Sequence, residues 1–205
     1  MIDTLINDAL VLVVLVPSVV LHEVAHGVVA LRFGDDTAQR AGRLTLNPLA
    51  HIDPFGTVLL PAILAFTTGA AFGYAKPVPV VPAKMRRPRD HGLLVSLAGP
   101  ATNVVLAVVA ALLLRQLLPF ASNAVLDIVF RFGAINVILA AFNLLPIPPL
   151  DGSAVIERVL PRHLLPGWRR IRQYSMGLLL LVVLLLPRVL GTVFGAAIGA
   201  WQRLL

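Results

Sequence analysis

The chain has 205 residues, of which 58% are hydrophobic and 13% are charged, and its mean hydropathy is +0.89. Soluble domains contain about 25% charged residues, so this composition excludes an ordinary soluble domain and indicates a membrane protein. The formal net charge is +7, but the basic residues lie between apolar runs rather than along one soluble face, which argues against a nucleic-acid partner. The sequence has no cysteine, which excludes disulfide bonds, cysteine-based zinc sites and a cysteine nucleophile.

Three uninterrupted apolar segments are long enough to cross the roughly 30 Å hydrocarbon core of a bilayer, and they lie at residues 5–33, 93–118 and 124–145. Between the first two, residues 40–55 carry turn residues and a short alternating stretch, and the start of residues 74–90 alternates like an edge strand. A short β-hairpin or edge strand is therefore expected after the first helix.

Two further apolar segments are interrupted. Residues 56–73 contain Pro61 and the run Thr67-Thr68-Gly69, which makes them a weak span and favours a re-entrant segment. Residues 171–203 are broken at Pro187, which predicts one kinked helix or two separate segments.

These segments predict an all-α integral membrane protein, a polytopic helical bundle of about four to six membrane segments. We expect a single membrane-embedded domain over residues 1–205, with its core at about 8–157 and C-terminal helices at about 171–203.

The residues His22-Glu23-Val24-Ala25-His26 form the pattern HExxH within the first apolar segment. Residues i and i+4 of a helix share a face, so both imidazoles can reach one zinc ion while Glu23 takes a proton from water at the metal. Chance produces the pattern only on the order of 10⁻³ times in such a sequence. The alternative, two packing histidines with a protonated glutamate, is disfavoured because such groups are costly inside an apolar helix.

A catalytic zinc ion usually takes three protein ligands and leaves one position for water. Asp151 follows the apolar segment 124–145 after a proline-rich turn, and Gly152 lets the backbone turn there. Asp151 is equally suited to cap the helix that follows it, and spacing alone does not decide between ligand and cap. His51 and Asp53 are weaker alternatives for the third ligand.

Five motifs occur in order along the chain, namely HEVAH (22–26), GRLTLNPLAHIDPFGT (42–57), GYAKPVPV (73–80), LAGPATN (97–103) and NLLPIPPLDG (143–152). In this combination the sequence resembles the site-2 protease family of intramembrane zinc metallopeptidases, in its short bacterial form without a PDZ or CBS module. The resemblance implies one Zn²⁺ per chain, held by His22, His26 and Asp151, with Glu23 as the catalytic base. It also implies cleavage of a peptide bond in or near a transmembrane segment of a single-span membrane protein, as in regulated intramembrane proteolysis.

This ligand set requires the end of the first span and Asp151 to meet at one depth. If residues 56–73 re-enter rather than cross, only two spans separate the two ligand segments, and both segments end on one side. Residues 32–92 and 146–172 then share that side and contain 13 of the 17 Lys and Arg residues, which the positive-inside rule makes cytoplasmic. We therefore expect a multi-pass protein of the cell membrane, with its active site within the bilayer near the cytoplasmic side.

Asn103 and Asn143 are candidate substrate-binding residues, because an amide can hydrogen-bond a substrate backbone or a developing oxyanion. A hydrogen bond between helices is the alternative, and the small residues around Asn103 favour it there. For Asn143 the resemblance implies substrate binding, and the hydrogen bond between helices stays an open alternative. Residues 76–81 offer an edge to which an unwound substrate can add as a strand, and a proline-stiffened loop fits the same residues at least as well.

The competing functional class is a non-catalytic polytopic membrane protein that binds or transports metal. Such a protein needs the histidines but not Glu23. A structural scaffold without metal is the second alternative. Apart from the lipid bilayer, the expected partner of the enzyme is its membrane-protein substrate.

Overall fold

The computed structural model describes residues 2–60, 63 and 73–205. The α-helices of this part are α1 (Ile2–Arg32), α2 (Thr37–Arg40), α3 (Pro88–Leu117), α4 (Asn123–Asn143), α5 (Ser153–Val159), α6 (Leu165–Arg172), α7 (Ser175–Leu185) and α8 (Pro187–Gln202). Short 3₁₀ turns lie at Pro48–His51, Pro82–Lys84 and Arg162–Leu164, and one π-helical turn lies at Pro54–Leu59.

Three of these helices are long and apolar enough to cross a membrane, over Ala9–Arg32, Pro88–Leu117 and Asn123–Asn143. These helices coincide with the three strong apolar segments of the sequence and are candidate membrane spans. Helices α7 and α8 are bent by 84° relative to each other and count together as a fourth candidate span. The bend falls where Pro187 starts α8, because proline cannot donate the backbone hydrogen bond that would continue α7.

Helices α1, α3 and α4 pack against one another, and α8 packs on α3 and α4. Small side chains on α3, including Ala107 and Ala110, let these helices approach closely. The Trp201 ring of α8 fills the space beside Gly133, and its Nε1 donates to the Ala107 carbonyl at 2.7 Å. Large apolar side chains point outward around the bundle, as expected for helices surrounded by lipid, for example Leu12, Leu113 and Leu181.

The β-hairpin or edge strand expected after the first helix is not supported, because no strand is assigned in residues 2–60, 63 and 73–205. The Asn47 side chain accepts from the Leu49 amide and starts a 3₁₀ turn where the hairpin was expected. Residues 73–81 are extended, but their prolines lack the amide that a sheet ladder needs. Most of the segment 56–73, predicted to re-enter the membrane, lies outside the described residues.

The first turn of α3 and the last turn of α5 are joined by hydrogen bonds and an ion pair. The Arg89 Nη2 donates to the carbonyl oxygens of Glu157, Arg158 and Leu160, at 3.0, 2.8 and 2.9 Å. These are carbonyls at the end of α5, which need partners because the helix ends there. Arg158 also pairs with Asp90 at 2.7 Å. The start of α3 and the segment that follows the Leu150-Asp151-Gly152 turn are therefore held together.

Candidate metal centre and active site

The side chains of His22, His26 and Asp151 meet between α1 and the turn after α4. The two imidazole Nε2 atoms are 3.0 Å apart, and the Asp151 Oδ2 lies 3.2 Å from that of His22 and 3.4 Å from that of His26. Both histidines are buried. In the described part of the chain these three residues form the group of potential metal ligands that lie close enough to share one ion.

A sharp turn brings Asp151 to the histidines. Helix α4 ends at Asn143, and the Gly152 amide donates back to the Asn143 carbonyl at 2.7 Å. A Cβ atom at Gly152 would overlap the Leu144 carbonyl, so the turn requires glycine there. Helix α5 has Gly152 as its N-cap and no side-chain cap bond. The Asp151 carboxylate therefore faces the histidines and does not cap the helix.

One face of α3 contacts both imidazole rings. The Nδ1 of His26 donates to the Val95 carbonyl at 2.7 Å, and the Nδ1 of His22 donates to the Asn103 Oδ1 at 2.6 Å. Gly99 lies between these two partners, and the spacing of four residues keeps all three on one helix face. A Cβ atom at Gly99 would stand 2.5 Å from the Nε2 of each histidine, so only glycine leaves room for both rings.

The donor set fits a zinc ion. With both Nδ1 atoms donating, each Nε2 presents a lone pair toward the other. The Asp151 Oδ2 beside them is buried and accepts no hydrogen bond. Three electron-rich atoms at such distances repel one another unless a cation lies among them, and imidazole nitrogen with carboxylate oxygen is a donor set that zinc accepts. All three residues also line a cavity.

Glu23 lies beside these residues and lines a cavity of about 850 Å³ together with them. Its Oε2 accepts the Val78 amide at 2.8 Å. Val78 belongs to the extended segment 73–81, which also lines the cavity. The backbone of this segment therefore sets the direction of the Glu23 carboxylate.

The extended segment is held at its far end by Asp35. This fully buried carboxylate accepts from the Val81 amide at 2.5 Å and from the amide and hydroxyl of Thr37. Burial alone would raise the pKa of Asp35, but these hydrogen bonds and nearby Lys84 outweigh it and hold the pKa below its usual value. At neutral pH Asp35 is therefore ionised, and its carboxylate holds the Val81 amide.

The two candidate amides have different surroundings. Asn143 lines the cavity, and its Nδ2 donates to the Leu139 carbonyl at 3.0 Å. Asn103 is completely buried and bonds to His22 and to Asn136 at 2.8 Å. This geometry agrees with the hydrogen bond between helices that the small residues around Asn103 favoured, and it disfavours the candidate substrate-binding role of Asn103.

His51 and Asp53, the alternative ligands, have other contacts. The His51 Nε2 donates to the Thr45 carbonyl at 3.0 Å, and the Asp53 carboxylate accepts the Gly56 amide at 2.7 Å and caps the π-helical turn. Both therefore shape the loop after α1, and the alternative is not supported.

Sequence reasoning missed Asn136 and Ser18, which are completely buried and bonded to each other at 2.9 Å. The available signal was an amide and a hydroxyl in the middle of apolar spans, where unpaired polar groups are costly. It also missed the contact between Val78 and Glu23, which no local pattern encodes.

Comparison with known proteins identifies the family of the chain. The profile of peptidase family M50 matches residues 10–120 and 118–186. The chain is 43% identical over 166 residues to "Putative zinc metalloprotease YwhC" of Bacillus subtilis, which covers 77% of this chain and 70% of that protein. It is 35% identical over 181 residues to "Putative zinc metalloprotease Rip2" of Mycolicibacterium smegmatis, covering 86% of this chain and 66% of that protein. No solved structure gave a significant match.

The family profile spans most of the chain, including the HExxH helix and the turn that carries Asp151. The relatives are named zinc metalloproteases, and the cluster of two histidines and one aspartate supplies donors that suit zinc. The apolar helices agree with a membrane protein. The chain therefore belongs to peptidase family M50, the site-2 protease family, and is a zinc metalloprotease.

Proposed function

We propose that this enzyme hydrolyses a peptide bond in or near a transmembrane segment of a single-span membrane protein, as in regulated intramembrane proteolysis. His22, His26 and Asp151 hold the zinc ion and Glu23 is the catalytic base. The observation that carries the proposal is the meeting of these four side chains at one cavity, although Asp151 lies 125 residues beyond His26 in the sequence.

Bound zinc acts as a Lewis acid that acidifies water and polarises a carbonyl group. Glu23 takes a proton from the attacking water as the water oxygen bonds to the scissile carbonyl carbon. The same carboxyl group then returns the proton to the amide nitrogen as the carbon–nitrogen bond breaks. The Val78 amide holds one oxygen of Glu23 and so orients the carboxylate for both transfers. Asn143, which lines the cavity, hydrogen-bonds the substrate backbone.

The depth of the histidines supports a substrate within the membrane. The candidate span in α1 ends at Arg32, and a helix rises 1.5 Å per residue, so His26 lies roughly 9 Å and His22 roughly 15 Å from that end. A transmembrane substrate must unwind locally to expose its carbonyl there, because helical carbonyls are already hydrogen-bonded. Small or helix-breaking residues are therefore expected near the cut.

The charge distribution supports a site near the cytoplasmic face of the cell membrane. Thirteen of the 17 Lys and Arg residues lie in the segments 32–92 and 146–172, and the positive-inside rule places such segments in the cytoplasm. Contacts between the two segments, such as Arg158 with Asp90, support a shared side. A re-entrant path for residues 56–73 is part of this proposal.

The test compares the wild-type enzyme with Glu23→Gln. Both proteins are expected to carry about one zinc per chain, and only the wild type is expected to cut. Comparative membrane proteomics should find a single-span protein that accumulates uncut in cells with the variant. Undiminished cleavage by Glu23→Gln would exclude Glu23 as the base, and zinc uptake into liposomes by both proteins would favour the transporter class instead.

A further inference from the structure

A chain of buried hydrogen bonds runs from His22 through three helices and returns to α1. The His22 Nδ1 meets the Asn103 Oδ1 at 2.6 Å, and the Asn103 Nδ2 meets the Asn136 Oδ1 at 2.8 Å. The Asn136 Nδ2 then meets the Ser18 Oγ at 2.9 Å, and that oxygen lies 2.7 Å from the Val14 carbonyl. The side chains of Ser18, Asn103 and Asn136 have no solvent exposure.

The last acceptor, the Val14 carbonyl, fixes the direction from donor to acceptor in this series of hydrogen bonds. A carbonyl oxygen can only accept, so Ser18 must give its single hydroxyl hydrogen to Val14. The Ser18 oxygen is then an acceptor for Asn136, whose amide nitrogen must face it. The second hydrogen of that nitrogen goes to the Phe132 carbonyl at 2.8 Å. Two carbonyls therefore specify which way the Asn136 amide points.

The same logic continues to the histidine. The Asn136 oxygen faces Asn103 and can only accept, so the Asn103 nitrogen must donate to it. The Asn103 oxygen is then left to face His22 and must accept, which requires the proton of the imidazole to lie on Nδ1. The Nε2 of His22 consequently carries a lone pair that points at Asp151 and the metal position.

We propose that Ser18, Asn136 and Asn103 form a one-directional relay that holds His22 in the Nδ1–H tautomer, so that its Nε2 stays available as a metal ligand. The relay rests on the proposed ligand role of His22. Asn103 is a positioning residue that acts through His22. Partners behind a metal ligand commonly change metal affinity by about 10–100-fold.

If these hydrogen bonds only joined the helices, less of this arrangement would be explained. Hydrogen bonds between membrane helices are worth about 1 kcal/mol and need no common direction. Ser18 and His22 lie four residues apart on one face of α1, so the relay starts and ends beside the same helix. The His26 ring needs no relay, because the Val95 carbonyl accepts directly from its Nδ1.

The first measurement is the tautomer of His22 in zinc-free protein, read by nitrogen NMR of ¹⁵N-histidine-labelled enzyme at mildly alkaline pH, with His22→Gln to assign the signal. The wild type is expected to show the proton on Nδ1. Asn103→Leu removes the acceptor and is expected to yield mainly the other tautomer or a mixture. Asn103→Asp keeps an acceptor toward His22 and is expected to retain the wild-type tautomer.

The second measurement is zinc affinity by competition with a chelator, alongside thermal unfolding of the zinc-free proteins. Asn103→Leu is expected to weaken zinc binding about 10–100-fold, and Asn103→Asp is expected to restore most of it. The matched control is Trp201→Phe, which removes a buried interhelical hydrogen bond that involves none of the ligands. It is expected to lower the unfolding temperature and leave zinc affinity unchanged.

The outcomes separate the relay from the proposed function. If Asn103→Leu keeps the Nδ1–H tautomer and wild-type zinc affinity, and only unfolds earlier as Trp201→Phe does, the relay is overturned and Asn103 merely joins helices. If His22→Gln still binds zinc normally, the ligand assignment fails. The tautomer measurement on zinc-free protein then still decides whether the three residues orient the imidazole.

Discussion

Gly99 lies so close to His22 that a Cβ atom at position 99 would stand 2.5 Å from the imidazole Nε2. The same Cβ would be 2.5 Å from the Nε2 of His26. A methyl group there would take the space where the two rings converge, although alanine is a better helix former than glycine. Glycine at position 99 therefore lowers the local stability of the helix but leaves room for both imidazole rings.

We expect Gly99→Ala to lose zinc and more than about 100-fold of its activity while remaining folded, since the mutation displaces both imidazoles but favours the helix. Zinc content and circular dichroism of the purified protein check this. The matched control is Gly191→Ala in α8, where a new Cβ would have no neighbour within 4 Å. A Gly99→Ala enzyme with normal zinc content would show that the rings lie farther from α3.

Val78→Pro tests the contact between the extended segment and the catalytic base. The substitution removes the amide that holds the Glu23 Oε2, while the neighbouring Pro77 and Pro79 already favour an extended chain. Zinc content should remain normal, and turnover should fall about 10–100-fold, because a misdirected base loses part of what general acid–base catalysis contributes. Val78→Ala keeps the amide and controls for the trimmed side chain. Equal activity of Val78→Pro and Val78→Ala would show that the amide does not orient Glu23.

Because Asp35 is buried and ionised, we expect the stability of the folded protein to depend on pH. Its pKa in the folded protein lies below the usual value of 3.8, so its contribution is present at neutral pH and disappears as the pH falls through the folded pKa. Asp35→Asn should therefore be less stable than the wild type at pH 7, by about 1–3 kcal/mol for the disrupted buried hydrogen bonds. The difference in stability between Asp35→Asn and the wild type should narrow as the pH falls through the folded pKa, because the wild-type carboxyl then also becomes neutral.

Thermal unfolding in detergent across this pH range measures the effect of Asp35→Asn. Glu157→Gln provides the control, because Glu157 lies outside the candidate membrane spans and pairs with the exposed Arg172 side chain at 2.8 Å. Exposed pairs contribute little, so its unfolding temperature should match the wild type at every pH. A gap for Asp35→Asn that stays constant with pH would argue against an ionised anchor at this position.

Removal of zinc should abolish cleavage without unfolding the protein. The packed cluster around Trp201 and Leu114 contains none of the proposed ligands, so the helices keep most of their contacts when the metal is absent. This contrasts with small zinc domains that unfold without metal. Chelation followed by circular dichroism should show retained helix, and added zinc should restore activity. Loss of helical signal on chelation would mean that the metal also maintains the fold.

The HExxH helix could be predicted because its information is local. The spacing of His22 and His26 and the apolar context both lie within one helix, and helical geometry alone places the two rings together. The three strong spans were predictable for the same reason, since length and apolar composition are sufficient.

The role of Asp151 could not be decided locally, because a carboxylate after a helix-breaking turn suits a cap and a ligand equally well. Its actual direction depends on how α4 packs against α1, which is a tertiary property. The edge strand expected at the start of residues 74–90 is not supported for a related reason. The Val78 and Val81 amides donate to the side chains of Glu23 and Asp35 instead of to a neighbouring strand.

The contacts of α3 recur every four residues, at Val95, Gly99 and Asn103. Consecutive residues of an α-helix are about 100° apart around its axis. A slip or rotation of α3 by one residue would therefore move the Val95 carbonyl, the space at Gly99 and the Asn103 amide away from the two histidines together. Both histidines therefore depend on the rotational setting of this one helix, in addition to the single contacts that substitutions such as Asn103→Leu remove.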